Sequence, residues 1–355
     1  MLKKWVSVIF KFSLVFGIFF QSLTIELRAE QILYQPKSIG QDALFHPINF
    51  YLNTSFDVIQ NPYYFSQKNF YPNHDRVFKR ITNPVKEVER SGGFSKLLED
   101  EFFGKRAFPN YAIHFLGEGS DYRRLAEWFE INGSSTNAAY TYAFFLSYAA
   151  QIGNEALESS NTRDIGANDH IADLYFFDWV GKLAFMNDKF SYFVRDELQL
   201  KTWSSQPFID PSDLRVHNAA LNYIVRPKIF GDESSIRPFL LMGMQVLAGA
   251  SFKLSNEREL SIAQGMAYTD PIRQKGKYST GIFYDENGDL LTSLFLNSTE
   301  DMRLRLNVYP GMIHFSQFPT AKIGLATGWY DSSDWMLGVM VNMPFGIGFN
   351  GAPAY

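Results

Sequence analysis

From about Leu214 to Phe349 the chain reads as one β-strand after another, with apolar residues at alternate positions. In Met302 to Phe315, Leu304, Leu306 and Val308 alternate with Arg303, Arg305 and Asn307. In Trp335 to Phe349, Trp335, Leu337, Val339, Val341, Met343 and Phe345 alternate with Gly338 and Asn342. One face is greasy and the other small or polar. A barrel with lipid outside and a packed or wet interior requires that pattern, because in hydrocarbon every backbone N–H and C=O must be paired within the sheet. Strand starts are expected near Leu214, Ile236, Arg258, Tyr278, Leu290, Met302, Ala321 and Trp335. That makes about eight, an even number as in single-chain bacterial barrels. Asn287-Gly288 reads as a tight hairpin turn.

Upstream the period changes. Residues 30–93 are irregular and rich in Pro and Asn, with one strand-like segment at Phe50 to Ile59. Residues 94–190 follow a helical period: a short helix Phe94 to Phe103, then Asn110 to Ile131, Asn137 to Glu158, and Asp169 to Met186 with Asn168 as N-cap. The Asn137 helix is apolar nearly all round, which predicts burial. Residues 191–213 form a connector and 214–355 the strands. The expected fold class is α+β, a helical domain followed by an antiparallel membrane β-barrel. A barrel of eight strands holds only side chains, so the helices must cap it or lie beside it unless Phe50 to Ile59 and part of Phe190 to Asp213 add strands and widen it.

Met1 to Ala29 has the parts of a secretory signal: Lys3 and Lys4, an apolar run over Phe12 to Phe20, and Leu27-Arg28-Ala29 as a cleavage site. An uncleaved anchor is the alternative, although Lys11 interrupts the apolar run. Export fits a chain of 355 residues without cysteine, which also excludes disulfides, thiol chemistry and lipidation at cysteine. Aromatics make up 17 %, a load that suits membrane girdles and thick cores alike. A net charge of -4, with no run of Lys or Arg, argues against a nucleic-acid partner.

The helices carry the candidate chemistry. His114 and Glu118 are four apart and share a face; Gln151, Glu155 and Glu158 share another; Asp169 and Asp173 repeat the spacing. If His114, Glu118, Glu155, Glu158 and Asp173 converge, neighbouring carboxylates push each other's pKa apart, the usual arrangement for general acid/base work. The competing reading is structural cross-bracing with Arg123 or Arg163. A single histidine among carboxylates would suit Mn, Fe or Zn, but Glu-x-x-His repeats and His-Glu-x-x-His are both absent, so the pattern leaves cofactor and metal unknown. Gly117-x-Gly119 lies within a helix and follows no strand, which points to close packing rather than nucleotide binding. His217 and His314 fall on expected strands.

The run Asn110-x-x-x-His114-x-x-Gly117-x-x-x-x-Tyr122, with Asn154-Glu155-x-x-Glu158 and Asp169-x-x-x-Asp173, resembles a group of uncharacterised bacterial envelope proteins with a His-Gly-Tyr helix, a Glu-bearing helix and an Asp-bearing segment. The resemblance covers the helical third and implies that these residues act as a unit, without naming a reaction. The C-terminal half resembles outer-membrane β-barrels, although its last strand ends at Phe349 and only Tyr355 is available as a terminal aromatic.

Together these features predict an outer-membrane-associated protein with a periplasmic helical domain, outer-membrane lipid as partner, and a structural, binding or transport-related role. One alternative is an envelope hydrolase or lipid-modifying enzyme acting on a lipid or cell-wall ligand. Another is a soluble periplasmic barrel around an apolar ligand.

Overall fold

The structure is a computed structural model that describes residues 31–352 apart from 63, 160–165, 232, 256, 271, 272, 274 and 314–319. The expected signal at 1–29, and with it Arg163, His314 and Tyr355, lies outside the described residues. Helices come first: α1 (Pro47–Phe56), α2 (Phe70–Thr82), α3 (Pro84–Arg90), α4 (Gly93–Leu97), α5 (Gly119–Ile131), α6 (Thr136–Glu158), α7 (Ala167–Ala172), α8 (Asp178–Phe185) and α9 (Asp188–Asp196). Three π-helical turns continue this layer: Leu98–Phe102 after α4, Asn110–Glu118 leading into α5, and Asp173–Phe177 joining α7 to α8. Among the described residues no helix is long and apolar enough to cross a membrane.

The irregular 30–93 segment is therefore a correction, because it is largely helical. Phe50 to Ile59, expected as a strand, belongs mostly to α1: His46 Nδ1 accepts the Ile48 N–H at 3.1 Å and Pro47 occupies the first turn. A capped start with Pro pre-set in the helical φ outweighs the strand-like composition.

Thirteen strands follow: β1 (Lys201–Thr202), β2 (Phe208–Asp210), β3 (Arg215–His217), β4 (Tyr223–Val225), β5 (Ile236–Met242), β6 (Gln245–Lys253), β7 (Arg258–Asp270), β8 (Lys275–Glu286), β9 (Asp289–Leu296), β10 (Met302–Val308), β11 (Ile323–Tyr330), β12 (Trp335–Val341) and β13 (Gly346–Asn350). They form one sheet in the order β1-β4-β5-β6-β7-β8-β9-β10-β11-β12-β13-β2-β3. Neighbours are antiparallel except the β13/β2 pair. The α+β class stands, but the closed barrel of about eight strands does not. The ladder ends at β1 and β3, which lie on the two arms of one irregular hairpin, 201–210 and 215–225. Between the paired ends of those arms the backbone bonds include Trp203 N–H to Asn222 O and Ser205 N–H to Ala220 O.

The strand count rose partly because one expected strand, 335–349, divides in two, while another is shorter than its composition suggests. β10 stops before Pro310-Gly311, and the 335–349 segment breaks at Asn342 (φ 52°) and Pro344, so that β13 folds back on β12. The Asn287-Gly288 turn forms as expected, with both residues at positive φ.

The sheet is strongly curled. Phe239 of β5 and Phe283 of β8 stack with ring centroids 5.3 Å apart, although three ladder steps would separate them by about 14 Å in a flat sheet. The first hairpin arm crosses this inner face. Trp203 packs on Phe239 and Phe283, and Gln206 Nε2 donates to the carbonyls of Val308 and Leu325. Phe208 lies so close to Gly338 that a Cβ there would sit 2.3 Å from its ring. Small residues on the inner face are what let the arm approach. A buried polar layer accompanies it: Arg305 donates to Asn218 Oδ1 (2.7 Å) and Gln60 Oε1 (3.1 Å), and Asn218 donates to Asn307 (2.7 Å). The helices cover the other side of the hairpin, where Asp121 accepts from Thr202 Oγ1 and Tyr223 OH at 2.7 and 2.9 Å.

The outer face is apolar. Row by row, Val308, Leu325, Val339 and Ile347 are cross-strand neighbours from β10 to β13, as are Leu294, Leu306, Thr327 and Leu337 from β9 to β12. Trp329 and Trp335 are each 51 % exposed and Ile347 59 %. The alternation read from the sequence is thus the alternation of the two faces.

Candidate functional site

The polar side chains of the helical layer meet because the π turns widen the helix where they occur and re-aim the side chains that follow. In the turn before α5, His114 Nδ1 lies 3.1 Å from Glu118 Oε1, and His114 Nε2 lies 3.6 Å from Asp173 Oδ2 in the turn after α7. Glu118 accepts from Gln151 of α6 at 2.6 Å, and the same amide reaches Asp178 at 2.7 Å, which is paired with the buried Lys182. His114, Glu118, Gln151, Asn154, Glu155 and Asp173 line a cavity of about 10 Å³, room for about one water or ion. Gly117 supports the arrangement. The Tyr223 ring lies where its Cβ would be, 2.4 Å away, and the Tyr223 hydroxyl is held by Asp121.

A second group adjoins the first through Glu155. Ligating atoms of Glu155, Glu158 and Asp169 all lie within 4.8 Å of one another. His170, fully buried, bonds Glu155 through Nδ1, while its Nε2 faces Arg80 at 2.6 Å and Ser159 Oγ at 3.0 Å. Because a guanidinium only donates, Nε2 is the acceptor and the Nδ1 proton points at Glu155. Arg106 bridges Asp169 (2.6 Å) and Glu101 (2.8 Å). The five expected residues, His114, Glu118, Glu155, Glu158 and Asp173, are therefore brought into one neighbourhood.

Burial dominates their titration. It raises Glu118, and it holds Asp173 and Glu158 well above the ordinary carboxyl range; His114 pulls against it at both, and Glu155 and Asp169 add repulsion. Glu101 is pushed up to about 7 by burial and by Asp169. At Glu155 burial is outweighed by His170, which lowers its pKa. For His114 burial opposes the charge, yet Asp173 and Glu118 outweigh it and raise the pKa well above the usual value. A Glu155 held low beside a Glu158 held high has the separation that acid and base roles require.

Arg123 pairs with Glu127 and Asp188, while Arg163 lies outside the described residues. Arg106, Glu101, Asp178 and Lys182 take part without having been singled out in the sequence. The Asp178/Lys182 spacing of four was visible, whereas nothing local marks Arg106. His217 sits elsewhere, at a larger cavity of about 160 Å³ that Arg215, Glu300 and Tyr330 also line; its ligating atoms lie near those of Asp210 and Asp213.

Comparison with family profiles, curated proteins and solved structures found no match to this chain.

Proposed function

We propose that this is an outer-membrane-associated envelope protein whose sheet rests its outer face against lipid, while the helical layer presents its polar centre on the periplasmic side. The observation that carries the reading is the division between the faces. Outward positions of β9 to β13 are mostly Leu, Val, Ile, Trp and Phe, with Thr292 and Thr327 among them, whereas inward positions include Arg305, Asn307 and Ser293, and on β8 Ser279, all buried and hydrogen-bonded. In water the apolar row would face solvent across several strands, an area that monomers rarely leave bare. The Met1 to Ala29 export pattern supports the same compartment. Packing of Trp203, Phe239 and Phe283 against the inner face weighs against a soluble barrel around a ligand. In cell fractionation the chain is expected in the outer membrane and to require detergent. Recovery as a monodisperse periplasmic protein would refute the proposal.

A second reading is favoured by the convergence on His114. An envelope hydrolase or lipid-modifying enzyme would use the ionised Glu155 as base and a protonated Glu158 or Asp173 as acid, with His114 binding developing negative charge. In this role His114 departs from the general base that its sequence position suggested, because its neighbours hold its proton. The test is turnover of lipid or cell-wall substrates by the purified protein. His114→Gln should abolish turnover with little change in melting temperature, and equal loss of folding would assign the cluster to cross-bracing.

A further inference from the structure

We infer that the helical layer is a divalent-cation site, in which Glu155, Glu158 and Asp169 bind a first-row metal ion beside the cavity lined by Asp173 and Gln151. The inference stands whether or not the sheet sits in lipid. The first observation is spacing. Oxygen ligands about 2.1–2.4 Å from a cation lie at most about 4.2–4.8 Å from each other, and the three carboxyl groups already meet that limit. Little side-chain movement would close them on an ion.

The second observation is independent of the acidic cluster. Asp173 Oδ1 and Gln151 Oε1 are buried and without a hydrogen-bond partner, and both residues line the adjoining cavity. Each residue is 5 % exposed. An orphaned buried acceptor costs about 1–3 kcal/mol, so two on one small cavity point to a donor or cation between them. The Gln151 amide oxygen accepts only, and so does Asp173 Oδ1 whenever its carboxyl is ionised; a cation bound between them would satisfy both.

Charge supplies a third argument. Among the described residues Arg106 and Lys182 are the permanent cations that pair within the cluster, Arg106 with Asp169 and Glu101 and Lys182 with Asp178. Glu155 bonds His170 and Asp173 faces His114, which leaves carboxyl charge in the cluster for a metal ion to balance. His170 plays the outer role: with Nδ1–H on Glu155 and Nε2 engaged by Arg80 and Ser159, it orients a ligand and is not one itself. Carboxylate oxygens with the His114 imidazole nearby, paired with Glu118, suit Mn²⁺, Fe²⁺ or Zn²⁺.

The test is titration of the full-length, detergent-solubilised, chelator-treated protein with Mn²⁺, read by loss of the free-ion EPR signal and by thermal melting. Saturable binding of about one ion per chain with a raised melting temperature is expected. Glu155→Gln and Asp169→Asn should weaken binding by at least about tenfold. Glu158→Gln, which keeps the length of the side chain but removes a carboxylate ligand, should remove the Mn²⁺-induced shift. Asp213→Asn, at the other His/Asp group, should bind as the parent does. No saturable binding of Mn²⁺ or Zn²⁺ by the parent overturns the inference. So does binding that survives Glu158→Gln, or binding lost with Asp213→Asn.

Discussion

Val339→Arg separates lipid from water on the outer face. Val339 lies in a row with Leu325 of β11 and Ile347 of β13 and is 41 % exposed. In water a substitution at such a position costs at most about 0.5 kcal/mol. Against hydrocarbon near the bilayer midplane Arg costs about 2–4 kcal/mol. The neighbouring Gly338 is the internal control. It faces inward, and a Cβ would lie 2.3 and 2.6 Å from the Phe208 ring, so Gly338→Ala overpacks by about 1–3 kcal/mol in either environment. In urea unfolding from lipid vesicles, with a slope of about 3 kcal/mol per M, Val339→Arg should shift the midpoint down by about 1 M. In a mild detergent micelle, where the headgroup layer is close, the shift should shrink. If Val339→Arg is neutral in vesicles while Gly338→Ala is destabilising, the outer face does not rest on lipid and the reasoning fails.

Other expectations follow from the helical layer. Gly117→Ala drives a methyl into the Tyr223 ring, which Asp121 holds in place; a loss of about 1–3 kcal/mol is expected in chemical unfolding, together with weaker coupling between His114 and Glu118. Asp57, pushed up to about 7 by burial, has a folded pKa above its unfolded value, so its contribution is fully present below about pH 4 and is lost as pH rises through 7. Asp57→Asn keeps an acceptor for the Leu221 N–H and the Gln60 amide and should flatten the fall in melting temperature between pH 5 and 8; an unchanged profile would contradict the assignment. Asn218→Ala strips the buried Arg305 of an acceptor and should cost about 1–3 kcal/mol, checked by the same unfolding assay.

Alternation was enough to read the two faces of β10 and β12, because side chains on a strand alternate strictly and the greasy set can go only one way. The helices at 110–131, 137–158 and 169–186 were legible for a related reason: their period and their polar stops are local. Each of the five site residues was marked by a spacing of three or four along one helix. What the sequence could not determine was set by long-range geometry. Whether a sheet closes depends on where its ends meet, and here a hairpin 201–225 crosses the inner face, seated by Gly338 under Phe208 and by the Val308 and Leu325 carbonyls that Gln206 reaches far along the chain. That placement is a matter of shape between residues more than 100 positions apart, and no local period records it. The helix over 47–56 was missed because a histidine cap and a first-turn proline outweighed composition. Arg106 and His170 became part of the site only when α6, α7 and the π turns packed together. Sequence fixes which side chains lie on one face; packing decides which faces meet.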